Sequence, residues 1–203
     1  MLESIRFRRF SPSFRLMDVT YFTYGSNLCL PRLTSRVPGI TALGPASLPG
    51  YELHWHKRSV DGSGKCSIEP SASATAVVHG ALYTIPKAEK HLLDRVEDGY
   101  EEITVGVQSP QGVVSAQTYV AGPTHVDDSL RPYTWYRDLV VSGAESHNLP
   151  AQYVASLRLV VAWEDEDGER ASRNRVSLPC GGSTRDASFY QLGPTKPVRG
   201  QPS

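Results

Sequence analysis

The chain has 203 residues and a mass of 22.3 kDa, which is the size of one domain with its own hydrophobic core. It carries 21 Lys and Arg residues against 21 Asp and Glu residues, so its formal net charge is zero. Balanced charge argues against a nucleic-acid partner. The absence of an apolar run near the roughly 20 residues of a membrane-spanning helix argues against a membrane partner.

The charges are unevenly distributed along the chain. Residues 1–16 carry a net charge of +3 and residues 170–203 a net charge of +5, which leaves −8 for residues 17–169. Both ends also lack an apolar face. We therefore expect a disordered basic extension at 1–16, a folded domain at 17–164 and a largely disordered tail at 165–203.

Three cysteines, with no CxxC pair among them, indicate neither a disulfide framework nor a zinc site. This cysteine usage favours a reducing, cytoplasmic location. The first sixteen residues are rich in arginine and poor in acidic residues, as in a transit peptide. An organelle therefore stays open as the alternative compartment.

The first third of the chain alternates strand and turn signals. Residues 19–24 are β-branched and aromatic and predict a strand, which Gly25 ends, and 27–36 have room for about two helical turns. Residues 40–57 are strand-like but interrupted by Gly-Pro and Pro-Gly pairs. The small residues of 61–74 predict a long, mobile surface connection.

The remainder of the domain contains both strands and helices. Strands are predicted at 77–85, 103–107 and 113–121, and helices at 86–96, 133–144 and 150–161. The turn-rich residues between the last two strands predict a hairpin, and hence antiparallel pairing. This order of elements favours an α+β fold rather than a series of βαβ units.

The segment Tyr24-Gly25-Ser26-Asn27-Leu28 is the first candidate site. A strand that passes through Gly into a helix start brings free backbone N–H groups together, and such a place attracts a carboxylate or phosphate. Ser or Asn in this position is also an ordinary helix cap, so spacing alone does not decide between the two interpretations.

Five acidic residues cluster at the end of the helix predicted at 86–96. They are Asp94, Glu97, Asp98, Glu101 and Glu102. Glu97 follows Leu93 by four residues, and this spacing places it on the apolar side of the helix. An inward-facing Glu97 would have a raised pKa and would suit a general base and acid. The alternative is a solvated acidic helix end.

Other catalytic signals are weak. His54 and His56 alternate on a predicted strand, but no second pair of ligands follows at metal-binding spacing, so we expect no metal site. Cys29 lies between apolar neighbours and is more typical of a packed residue than of a nucleophile. Nucleophile-elbow, P-loop and dinucleotide-binding motifs are missing from the sequence.

Several segments occur in the order found in gamma-glutamylcyclotransferases. They are 21–28 (Tyr-Phe-Thr-Tyr-Gly-Ser-Asn-Leu), 79–83 (His-Gly-Ala-Leu-Tyr), 93–97 (Leu-Asp-Arg-Val-Glu), Tyr119, and Gly143-Ala with Asn148-Leu-Pro150. Over about residues 19–162 the chain therefore resembles this family. Asn27 makes it similar to the classical branch rather than to the glutathione-specific branch.

The resemblance implies a small curved mixed β-barrel with packed helices and an active-site cavity at one barrel end. It implies that Glu97 is the catalytic acid and base and that Tyr119 and Tyr136 are tyrosines of the cavity. The same resemblance assigns binding of the glutamyl carboxylate to Tyr24, Gly25, Ser26, Asn27 and Leu28. One departure is that the family usually has Gly directly after the glutamate, whereas this chain has Asp98 and then Gly99.

The activity implied is that of a cyclotransferase in glutathione metabolism, which releases 5-oxoproline and a free amine or amino acid from a γ-glutamyl compound. No metal or organic cofactor is expected, because the nucleophile lies within the substrate. The expected partner is this small molecule, and a homodimer is one option for the assembly. Two alternatives stay open: a tailoring enzyme that removes a γ-glutamyl group from a biosynthetic intermediate, and a non-catalytic ligand-binding domain.

Overall fold

The computed structural model describes residues 18–175. The strands are β1 (Asp18–Thr23), β2 (Thr41–Pro49), β3 (Tyr51–Arg58), β4 (Gly64–Pro70), β5 (Val77–Pro86), β6 (Tyr100–Ser109) and β7 (Gly112–Ala121). The helices are α1 (Leu30–Arg36), α2 (Lys90–Asp94), α3 (Thr134–Ser146), α4 (Ala151–Arg158) and α5 (Gly168–Arg175), with short 3-10 turns at Ser26–Leu28, Lys87–Glu89 and Pro123–His125.

Five strands form a closed barrel in the order β1-β5-β2-β6-β7. Neighbouring strands are antiparallel except for β1 and β7, whose parallel pairing at Tyr21 and Gln117 closes the barrel. The hairpin predicted from residues 103–121 is present as β6 and β7. The expected α+β fold with a small mixed β-barrel is confirmed.

Helix α3 packs against the turn that follows β1. Leu139, Val140 and Ala144 of α3 are fully buried, as is Leu28 in the turn. A Cβ atom at Gly143 would lie 2.4 Å from the Leu28 Cβ, so only glycine allows the helix to approach this closely. The Gly-Ala pair at 143–144 therefore fixes the turn against the core.

The mobile connection predicted at 61–74 is wrong for half of its length. Residues Gly64–Pro70 form β4, which pairs with β3, and Cys66 and Ile68 are buried in the core. Tyr100 donates a hydrogen bond of 2.8 Å to the carbonyl oxygen of Cys66 and so ties β4 to the barrel. The Gly- and Ser-rich surroundings predicted a loop, whereas pairing with β3 and burial, which are tertiary effects, make these residues a strand.

Helix α5 lies within the segment predicted as a largely disordered tail. Its Arg170 pairs with Asp165, whose side chain is fully buried and also accepts a hydrogen bond of 2.8 Å from Trp135 Nε1. Ala171 is buried against the domain. The ordered chain therefore extends beyond 164 to at least 175, while 1–16 and 176–203 lie outside the described residues.

None of the helices within residues 18–175 is both long enough and apolar enough to cross a membrane.

Replacing Arg170 is expected to destabilise the domain, because a buried carboxylate then loses its charged partner. We expect Arg170→Ala to lower the free energy of unfolding by about 1–3 kcal/mol. Thermal denaturation measures the change. Arg173→Ala is the matched control on α5, since Arg173 is exposed and, among residues 18–175, pairs with the exposed Glu169. Equal melting temperatures for the two variants would show that the pairing of Arg170 with Asp165 does not stabilise the domain.

Candidate functional site

A cavity of about 330 Å³ opens where the end of β1 meets the helices. Its walls come from the turn after β1 and from α1, β3, β4, β6, β7, α3 and α5. The volume lies at the lower end of the usual range for small-molecule sites, roughly 300–1,000 Å³. The cavity therefore suits a ligand of about the size of a dipeptide.

Glu97 lines this cavity just after α2. Its side chain is only 11% exposed, and its Oε1 accepts a hydrogen bond of 2.8 Å from Asn27 Nδ2. Arg36 Nη1 lies 3.9 Å from the same oxygen and donates to Asn27 Oδ1 at 2.7 Å. Burial raises the pKa of Glu97, although Arg36 and Asn27 oppose this increase. Glu97 is thus a buried, oriented carboxyl group with a pKa shifted toward neutrality.

The turn after Glu97 accommodates the extra residue Asp98. The Tyr100 N–H donates to the Glu97 carbonyl oxygen at 3.1 Å, and Gly99 has a positive φ of 75°, which suits glycine. The Asp98 side chain is exposed, while its carbonyl oxygen accepts a hydrogen bond from the ammonium group of buried Lys57. Glu97 therefore faces the cavity and Asp98 faces solvent.

Most of the residues assigned by resemblance meet at this cavity. Tyr24, Gly25, Ser26, Asn27, Glu97, Tyr119 and Tyr136 all line it. Leu28 does not: its side chain is fully buried in the core, and its N–H donates to the Gly25 carbonyl oxygen at 3.0 Å. Neither the side chain nor the N–H of Leu28 faces the cavity. Leu28 therefore supports the turn from the core and does not contact a ligand.

The tyrosines form part of the cavity wall, and hydrogen bonds hold their hydroxyl groups in place. The hydroxyl group of Tyr24 donates to the carbonyl oxygen of Tyr119, and the hydroxyl oxygen of Tyr136 accepts a hydrogen bond of 3.1 Å from the Cys66 N–H. Tyr119 donates to Asp94 and accepts from Lys90. Burial raises the pKa of all three phenols, which therefore stay neutral.

The cavity also contains five cationic side chains that sequence analysis missed: Arg32, Arg36, Lys57, Lys65 and Arg170. Burial lowers the pKa of Lys65 to about 8, although Asp61 pairs with it at 2.8 Å. A signal for two of the five was present in the sequence. Arg32 and Arg36 are four residues apart and so share one face of the helix after the turn.

The remaining candidates lie apart from the cavity or in the core. The rings of His54 and His56 stack at 4.9 Å on β3, where His56 Nδ1 lies 3.0 Å from Asp128. In the part of the chain that the structure describes, no group of three or more His, Cys, Asp or Glu side chains could hold a metal ion. Cys29 is fully buried.

Residues 77–157 match the model of the AIG2-like family. A structure titled gamma-glutamyl cyclotransferase superposes with a TM-score of 0.67 and 24% sequence identity, covering 77% of this chain and 96% of that one. The chain has the gamma-glutamylcyclotransferase-like fold. The resemblance inferred from the sequence is confirmed at this level, whereas the classical branch stays a prediction.

Two further structures share this gamma-glutamylcyclotransferase-like fold. An uncharacterized protein from Homo sapiens has a TM-score of 0.68 and 23% identity, covering 77% of this chain and 97% of that one. YkqA from Bacillus subtilis has a TM-score of 0.59 and 20% identity, covering 81% of this chain and 56% of that one. A search of curated protein sequences found no significant match.

Substitution of Gly25 is expected to damage the cavity. A Cβ atom there would lie 3.2 Å from the Cys66 Cβ and 3.3 Å from the Tyr136 hydroxyl oxygen. Glycine therefore lets the turn pack closely against these two residues. The φ of Gly25 is −106°, so the need for glycine here comes from close packing and not from a left-handed backbone. We expect Gly25→Val to cost about 1–3 kcal/mol of stability through overpacking, measured by denaturant unfolding.

Gly106→Val is the matched control in β6, because a Cβ atom at Gly106 meets only Val113, at 3.6 Å. If both glycine variants unfold at the same denaturant concentration, close packing at Gly25 does not constrain the turn.

Proposed function

We propose that the protein is a cyclotransferase that converts a γ-glutamyl compound into 5-oxoproline and a free amine or amino acid. The observation that carries this proposal is the buried carboxyl group of Glu97, held by Asn27 and Arg36 in a cavity of dipeptide size. The gamma-glutamylcyclotransferase-like fold supports the same reaction class.

The reaction needs little from the protein besides orientation and proton transfer. The α-amine and the γ-carbonyl carbon belong to the same glutamyl unit, so closure of the five-membered ring requires only the correct rotamer. As carboxylate, Glu97 takes a proton from the α-ammonium group. The freed amine attacks the γ-carbonyl carbon, and the bond from that carbon to the leaving nitrogen then breaks.

The protons balance over one turnover. The α-ammonium group loses two protons when it becomes the lactam N–H, and the leaving nitrogen gains two when it departs as an ammonium group. Glu97 carries these protons in turn and ends as the carboxylate with which it began. A raised pKa suits this double role, because it makes the Glu97 carboxylate a stronger base toward the α-ammonium group.

The glutamyl α-carboxylate belongs near the turn at 25–27. The N–H groups of Ser26 and Asn27 lie at the start of the 3-10 turn, where backbone amides have no acceptor within the helix. Arg36, beside Glu97, adds positive charge on the same side. A carboxylate bound there places the neighbouring α-ammonium group within reach of Glu97.

Glu97→Gln is expected to separate binding from catalysis. Glutamine keeps the size and the hydrogen bond from Asn27 but cannot take up a proton. We expect turnover, followed as 5-oxoproline release, to fall roughly 10²–10⁴-fold while a γ-glutamyl ligand still binds. The melting temperature should stay equal or rise, because the variant no longer buries a charge.

Asp98→Asn is the control for this variant, since the Asp98 side chain is exposed. It should retain nearly full activity. Normal turnover by Glu97→Gln would exclude the proton-transfer role, and an inactive Asp98→Asn variant would move that role to Asp98. A wild-type protein that binds γ-glutamyl ligands without releasing 5-oxoproline would favour the non-catalytic alternative.

The pH dependence of kcat/KM should report the raised pKa of Glu97. Catalysis needs the carboxylate, so kcat/KM should fall as the pH drops through a pKa above the ordinary glutamate value of about 4.3. Arg36→Met removes a positive charge that favours the carboxylate. In this variant the fall of kcat/KM at low pH should therefore occur at a higher pH than in the wild-type protein. A fall at a lower pH would show that Arg36 does not favour the carboxylate form of Glu97.

A further inference from the structure

The turn between α2 and β6 carries Glu97, and hydrogen bonds to its carbonyl oxygens hold it in place. The carbonyl oxygens of Glu97 and Gly99 accept from backbone N–H groups, at 3.1 Å and 3.0 Å. The carbonyl oxygen of Asp98, between them, accepts instead from the ammonium group of Lys57. A side chain of β3 therefore holds the backbone of the residue that directly follows Glu97.

Lys57 is fixed in the structure at both ends of its side chain. Its backbone pairs with Lys65 of β4 and with Val126. The residue lines the cavity although it is only 7% exposed. Its ammonium group lies 4.6 Å from the centre of the Tyr100 ring, which is a cation–π contact. Lys57 thus contacts the turn at two points, the Asp98 carbonyl oxygen and the Tyr100 ring.

The charge of Lys57 acts on the carboxyl group of Glu97. Burial lowers the pKa of Lys57, although the negative charges of Asp98, Glu97 and Asp61 oppose this decrease. The charged form is therefore less favourable in the fold than in water, so the charge does not stabilise the domain. It does favour the carboxylate form of Glu97. A charge that opposes folding and supports a buried carboxylate indicates a role in the reaction.

Other ionisable groups also face Glu97. The positive charges of Arg36 and Arg32 favour its carboxylate form from α1. The neighbouring phenols are neutral because burial raises their pKa; they belong to Tyr21, Tyr24, Tyr100 and Tyr136. Arg36 lies 3.9 Å from the Glu97 carboxylate itself, whereas Lys57 binds the backbone next to Glu97. Lys57 therefore combines a charge with a direct hold on the turn.

We propose that Lys57 is a positioning residue for the reaction, which holds the turn that carries Glu97 and supplies positive charge to the site. This inference rests on the proposed cyclotransferase function. It adds the sheet of β3 and β4 to a site otherwise built from the turn after β1, helix α1 and the end of α2.

The first experiment measures catalysis with γ-glutamyl-alanine as the substrate. Lys57→Met removes the ammonium group and keeps a side chain of similar shape. We expect kcat for 5-oxoproline release to fall roughly 10–100-fold, because Glu97 loses its fixed position, while KM changes less than about threefold. The fall of kcat/KM at low pH should occur at a higher pH than in the wild-type protein, because the carboxylate loses a favourable charge.

Arg58→Met is the matched control on the same strand. Arg58 is exposed, and its guanidinium group lies 3.5 Å from the carboxylate of Asp127. This variant should change neither kcat nor the pH profile. Lys57→Arg keeps the charge and an N–H donor on a bulkier side chain, so it should restore the wild-type pH profile and recover part of kcat.

The second experiment does not depend on turnover. NMR titration of the protein with isotope-labelled glutamate follows the ionisation of each side-chain carboxyl group, and the signal missing from Glu97→Gln identifies Glu97. Lys57→Met should move the midpoint of this titration to higher pH, whereas Arg58→Met should not move it. If Lys57→Met does not fold, Lys57→Gln removes the charge with a polar side chain and should give the same direction of shift.

The outcomes separate the two proposals. An unchanged Glu97 midpoint in the folded Lys57→Met or Lys57→Gln variant would overturn the role of Lys57, and so would a shifted midpoint with wild-type kcat. Failure of the Met, Gln and Arg variants alike to fold would assign Lys57 to the fold and overturn the inference. Without 5-oxoproline release by the wild-type protein, the proposed function fails, and the role of Lys57 in the reaction fails with it.

Discussion

The arrangement around the cavity depends on keeping one carboxyl group, that of Glu97, largely out of water. An isolated buried carboxylate would be unfavourable, and the structure offsets this with Asn27 and Arg36, which approach from the turn after β1 and from α1. The turn after β1 and helix α1 must therefore keep fixed positions relative to the end of α2. Gly143 contributes to this arrangement, because it allows α3 to pack closely against Leu28 in the turn. The packing of the core thus sets the electrostatics of the site.

The cavity has a charge character opposite to that of the domain around it. Residues 17–169 carry a net charge of −8, yet four of their cationic side chains line the cavity together with Arg170. A net charge describes long-range attraction, whereas a ligand a few ångströms away responds to local groups. The acidic surface is therefore compatible with an anionic substrate. Within the cavity, Arg36, Lys65 and Arg170 pair with Glu97, Asp61 and Asp165.

The fold was predictable where hydrophobic periodicity and local turns dominate. The strand before Gly25, the hairpin of β6 and β7 and the helix α3 follow from patterns along the chain. Prediction failed for β4 and α5, for related reasons. Residues 64–70 carry only a short apolar pattern, and they become a strand because β3 pairs with them and Tyr100 of the barrel bonds to Cys66. Helix α5 has almost no apolar face, and the pairing of Arg170 with Asp165 holds it in place.

By itself, the sequence determined the α+β fold class and the turn at 24–27, because these follow from the order of elements and from a local motif. Helical spacing placed Glu97 on the apolar side but left a solvated helix end as the alternative. Only the tertiary structure decided that Leu28 supports the turn from the core, that Asp98 faces solvent and that Asn27 orients Glu97. It also decided which cations meet in the cavity. Arg32, Lys57, Lys65 and Arg170 come from four separate elements. Their burial and pairing arise from contacts between residues distant in the chain, and local spacing carries no information about such contacts.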